Sequence, residues 1–165
     1  MPTPTYTPLA TVTLGSSAAS VTFSSIPATY RDLILVINGS SSIATSFPIR
    51  LNGDSGSNYP YVVMKGDAIG AVSELGTTSA IFATWNSTLA NTPWTSVTQI
   101  MDYSATDKHK TALTRVSMTR ETSSLYTAAL ATRWANTAAV TSVACSTSTG
   151  TYNAGTTFSL YGVIA

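Results

Sequence analysis

Charge is what this chain has least of. Asp, Glu, Lys and Arg make up 9% of its 165 residues, where an ordinary soluble domain carries roughly 25%. Lys, Glu and Gln are too scarce to cover the exposed faces of a helical protein. The net charge is +1 and the pI about 7.8. No long-range field results, which argues against nucleic acid or an anionic membrane as partner. Cys145 is the single cysteine, so no intrachain disulfide can form. One histidine and one cysteine cannot supply the three or four ligands of a usual transition-metal site. That histidine, His109, lies in Asp107-Lys108-His109-Lys110 with no Gly-x-Ser-x-Gly nearby, and reads as a solvated turn residue rather than a triad base. The seven acids, Asp32, Asp54, Asp67, Glu74, Asp102, Asp107 and Glu121, form no recognisable pair of the kind a glycosidase needs. Long apolar runs are missing as well. The longest, Leu33 to Ile37, is far short of the ~20 residues of a membrane helix. Met1 to Pro8 has neither the basic start nor the apolar stretch of a secretion signal, and the sequons at Asn38 and Asn86 are accordingly read as chance.

What replaces charge is Ser and Thr, close to a third of the chain. Threonine's branched Cβ suits a pleated surface that is half wet. The apolar residues recur with period two: Val12 and Leu14, Val21 and Phe23, then Leu33, Leu35 and Ile37. Ile34 and Val36 make that last segment apolar on both faces, hence a central strand. Further strands are expected at 47–51, 59–64, 80–85, 95–103, 111–120, 125–134, 140–145 and 157–164, with 66–78 ambiguous. The turn-rich Asn52 to Asn58 is expected to close a hairpin between 47–51 and 59–64. About nine to eleven short strands with frequent turns imply an all-β, antiparallel β-sandwich, jelly-roll-like. Pro2, Pro4 and Pro8, with Tyr6 among them, mark residues 1–8 as an extended N-terminal arm that either frays or lies on a neighbouring subunit. A single sandwich domain then covers 9–165.

Two surface features are candidates for binding. The loop Asn52-Gly53-Asp54-Ser55-Gly56-Ser57-Asn58 carries oxygen ligands, Asn52 and Asp54 foremost, that suit calcium weakly. It has one carboxylate and lacks the terminal bidentate acid of an EF-hand. The plainer reading is turn chemistry. Trp85 and Trp94 bracket a polar loop and are candidates for stacking on sugar rings. Trp134, Tyr59, Tyr61, Tyr103 and Tyr152 are further aromatics, and core or interface anchoring is the competing role for all of them.

Three segments taken together carry a resemblance. They are Ile26-Pro27-Ala28-Thr29-Tyr30-Arg31-Asp32-Leu33, Ile49-Arg50-Leu51-Asn52-Gly53-Asp54 with Asn58-Tyr59, and Thr156-Thr157-Phe158-Ser159-Leu160-Tyr161-Gly162-Val163. This set resembles small β-sandwich or jelly-roll virion proteins of tailed bacteriophages, found as capsid decoration (cement) or tail-associated parts. The resemblance spans about Leu9 to the C-terminus and implies no catalytic residues and no cofactor. It implies a structural protein made in the host cytoplasm and carried on the outer surface of the virion. Its expected form is a homotrimer clamping the major capsid protein or another virion protein. Pro2, Pro4, Tyr6 and Pro8 are then the expected arm contacts. The alternative is a tail-associated module binding host surface glycan through Trp85 or Trp94.

Overall fold

The computed structural model describes residues 5–67, 70–120 and 125–164. Twelve strands follow in chain order, and no helix occurs among the described residues. They are β1 (Tyr6–Thr13), β2 (Ser20–Phe23), β3 (Asp32–Gly39), β4 (Pro48–Leu51), β5 (Tyr59–Asp67), β6 (Gly70–Thr78), β7 (Ile81–Phe82), β8 (Trp94–Met101), β9 (Lys110–Thr119), β10 (Leu125–Trp134), β11 (Val143–Ser146) and β12 (Thr157–Val163). Eight form one antiparallel sheet in the order β1-β12-β3-β8-β9-β10-β5-β6, and four form a second in the order β2-β11-β4-β7. The chain shuttles between the two sheets as it runs. This is the β-sandwich that period-two patterning demands, because each strand must hide one face.

Alternation is cleanest in the β8–β9–β10 meander. Ala112, Thr114, Val116 and Met118 of β9 are buried, while Thr111, Arg115 and Ser117 are exposed. β10 repeats the pattern with Tyr126, Ala128, Leu130, Thr132 and Trp134 inside. In β3, Leu33, Leu35 and Ile37 are fully buried between the sheets. Phe47 and Tyr152 stack at 5.1 Å between ring centroids, and Tyr152 meets Phe158 edge-on at 4.9 Å. These rings tie the small sheet's approach loops to β12.

Three expectations change. First, Leu51 and Tyr59 do not flank a hairpin. β4 pairs with β11 and β7 in the small sheet, whereas β5 pairs with β10 and β6 in the large one. Residues 52–58 therefore carry the chain from sheet to sheet, bending sharply where Asn52 and Gly53 take φ of 53° and 70°. Secondly, the strand expected at 80–85 shortens to Ile81–Phe82. Thirdly, residues 6–8 are not arm. Tyr6 pairs with Val163 and Pro8 with Tyr161, which a proline tolerates because β1 is an edge strand. Pro2 and Pro4 lie outside the described residues.

The segments that carried the resemblance serve as joints. The Tyr30 ring lies directly over Gly162, where any side chain would collide with it. Asp32 is buried and accepts hydrogen bonds from Gln99 Nε2 at 3.0 Å and from the Asp102 amide at 2.9 Å.

Candidate functional site

The polar loop lies on the surface, but Asn52 and Asp54 bond back onto the protein. Asn52 Oδ1 accepts from the amides of Thr141 and Ser142 at 2.8 and 3.1 Å, and its Nδ2 donates to Ala139 O at 2.8 Å. Asp54 accepts from Trp134 Nε1 at 2.7 Å, from Asn58 Nδ2 at 3.0 Å and from the Gly56 amide at 2.8 Å. The Trp134 indole, then Asn58 and Gly56, hold this carboxyl below its usual range against a small opposing effect of burial. Both residues that could have held calcium are thus committed to closing the loop. Among the described residues, no group of three His, Cys, Asp or Glu is placed to hold a metal ion.

The two tryptophans part company. Trp94 is 3% exposed and packs 4.4 Å from Phe47 between ring centroids. It opens β8 on the inward parity, in step with Ser96, Thr98 and Ile100, so it belongs to the core and offers no ring to a sugar. Trp85 is half-buried, tilted against Tyr61 at 4.4 Å and edge-on to Phe82 at 5.8 Å. Its Nε1 donates to Glu74 at 3.2 Å, and Glu74 also pairs with Lys65. These neighbours take up its donor and part of the ring. His109 is exposed in its turn.

Lys110 and Cys145 are two further titratable groups in the interior. Lys110 is 1% exposed, and its Nζ donates to Lys108 O at 2.9 Å and Thr137 O at 2.8 Å. Burial lowers its pKa. Cys145 is fully buried in β11, and burial pushes its thiol up to about 12. Only the thiolate reacts. The native chain is therefore expected to leave a colorimetric thiol reagent unreacted and to titrate one thiol after unfolding in urea. Rapid reaction of the folded chain would contradict this placement.

The feature that sequence reading missed is the outer face of the large sheet. Its strand registers align one row across all eight strands: Leu75, Val62, Ala131, Leu113, Gln99, Ile34, Tyr161 and Pro8. Gln99 is the one polar side chain in that row. The adjacent row runs Ser73, Met64, Ala129, Arg115, Val97, Val36 and Ser159. Val62, Met64 and Leu75 are 49%, 62% and 81% exposed. Strand spacing makes the mainly apolar row roughly 34 Å long, with its most exposed residues at the β5–β6 end. Beside them a groove of about 810 Å3 is lined by Met64, Gly66, Ser73, Arg115, Ser117 and Thr127, among others. Arg115 and Arg133 point outward on this face and have no ion pair among the described residues. The arrangement suits docking of a flat or extended apolar partner that bears acids. The signal was present as the second parity of each strand, but only register shows that the parities line up. Compared with family models and with curated proteins, the chain matches none.

Proposed function

We propose that this chain is a non-enzymatic structural part whose outer sheet face docks on another protein. Its best-supported setting is the virion of a tailed bacteriophage, as a capsid decoration (cement) protein on the major capsid protein. The observation that carries the docking is the apolar row crossing eight strands with no layer over it among the described residues. The setting rests on the resemblance of the three segments, which act as joints rather than as a site, and on a composition with almost no charge. The mechanism is burial of area. A specific interface removes at least ~1,200 Å2 from water, much of the gain is offset by lost freedom, and repeated copies on a symmetric shell add avidity.

The test is occupancy on purified shells that lack the protein. Ala131→Asp places a charge in the middle of the apolar row, and Arg115→Glu reverses the face's charge. Both positions face solvent or nearly so, so melting is expected to move by only a few degrees. Each change is expected to weaken binding about tenfold or more, the effect of ~1.4 kcal/mol. Unchanged occupancy for both would remove the outer face from the mechanism.

A further inference from the structure

The two sheets end in four strand edges: β1 and β6 in the large sheet, β2 and β7 in the small one. An open edge is a template for any other strand, and proteins blunt theirs with proline, bulges or shortness. Three of these edges are blunted. β1 carries Pro8 and slips register between Pro8 and Ala10. β2 has four residues and β7 two. β6 has neither proline, bulge nor shortness, and the charge that can also blunt an edge is limited to Glu74. It is nine residues long, contains no proline, and pairs with β5 from Asp67↔Gly70 to Tyr59↔Thr78 without a slip. No described strand takes its other side. Its single charge, Glu74, is engaged by Lys65 within the hairpin.

This end of the sheet also overhangs the smaller one. Gly70 to Leu75 are all exposed, with Val72 on the inner face 53% and Leu75 on the outer face 81% open to water. β5 is held by its pairing with β10 and by buried Tyr59 and Val63, which leaves β6 as the strand of this hairpin with the least cover. Sequence and architecture thus both leave β6 to be completed from outside.

We infer that the free edge of β6, from Val72 to Thr78, pairs antiparallel with β6 of a second copy of this chain about a two-fold axis. The large sheets of two chains become one, and their outer faces become continuous. Self-pairing uses the same open edge twice and closes. A three-fold ring would need β6 to meet a different edge, and the other three are blunted. A net charge of +1 leaves little repulsion between copies. Continuity of the outer faces centres the register on an outward residue such as Leu75, which pairs Val72 to Thr78 over roughly 24 Å, and shared main-chain hydrogen bonds rather than buried area carry the contact. The pairing stands apart from the shell reading: a dimer that binds no shell leaves it intact.

Sedimentation of the full chain at micromolar concentration reads the outcome. The expected particle has twice the 17.2 kDa mass of one chain. Ser73→Lys with Leu75→Lys charges the open edge at exposed positions and is expected to return it to single-chain mass with its melting temperature little changed. Thr11→Lys, on the blunted β1 edge, is expected to leave the dimer intact. The alternate amides of 72–78 that point away from β5 are expected to exchange slowly in the wild-type particle and quickly in the double variant. A wild-type chain running at one or three chain masses overturns the inference, as a lone strand from a different protein would require in the first case. So does a dimer that survives the two lysines.

Discussion

Trp94→Ala is expected to destabilise the chain by about 4 kcal/mol, which for a domain of this size lowers the melting temperature by roughly 8–16 °C. The ring is 3% exposed, and it packs on Phe47, which in turn stacks on Tyr152. Removing it opens a large cavity where the first residue of β8 meets the approach to β4, at the junction of the two sheets. Trp94→Phe separates volume from chemistry. The Trp94 indole N–H is buried without a hydrogen-bond partner among the described residues, so phenylalanine removes an unpaired donor while keeping most of the packing. Its expected cost is about 1–2 kcal/mol. Urea unfolding of the wild type and the two variants measures both. A Trp94→Ala chain as stable as wild type but deficient in sugar binding would restore the tryptophan to a surface role.

The same residue shows what was legible in the sequence. Strand content and sandwich class followed from period two and from the scarcity of charge, because both depend on local pattern. The parity of β8 also contained the answer for Trp94: counting back in twos from Ile100 puts it inside. Its neighbours, Pro93 and the polar stretch before it, suggested a surface loop instead. Proline spacing is a local signal, and it predicts an arm at Tyr6 and Pro8. Their pairing with Val163 and Tyr161 spans nearly the whole chain and leaves no local trace. The loop at 52–58 was recognised as a turn, but its destination was not. Whether a turn reverses within one sheet or crosses to the other depends on the partners of its flanking strands. Here those partners are Val143 for Leu51 and Thr78 for Tyr59. The candidate docking face was hidden for the same reason. Val62, Ala131, Leu113 and Ile34 are individually unremarkable half-exposed residues, and only pairing brings them into one row.

Asp54→Ala is expected to cost about 1–2 kcal/mol, through loss of charge-assisted hydrogen bonds at a partly exposed carboxylate. Trp134 is 1% exposed with the Asp54 carboxylate in place, and in the variant its Nε1–H exchanges a charged acceptor for water. The loop that carries the chain from β4 to β5 also loses the acceptor for Asn58 and Gly56. The effect has a pH signature. Asp54 is held below its ordinary value of 3.8 by the Trp134 indole first, then by Asn58 and Gly56. A carboxyl depressed in the folded state stabilises the fold above its unfolded pKa, and that contribution is lost as pH falls through the folded value. Wild-type stability is therefore expected to decline below about pH 4, while Asp54→Asn shows a flatter acid limb from a lower plateau. Trp134→Phe removes the largest cause of the depression. In a cycle of Asp54→Ala, Trp134→Phe and the double variant, the single costs are expected to exceed additivity by about 1–2 kcal/mol. Additive costs with an unchanged acid limb would mean that the loop is held by its backbone alone. The bonding of Asp54 back onto the protein would then not explain why this polar loop forms a crossing between sheets rather than an open ligand site.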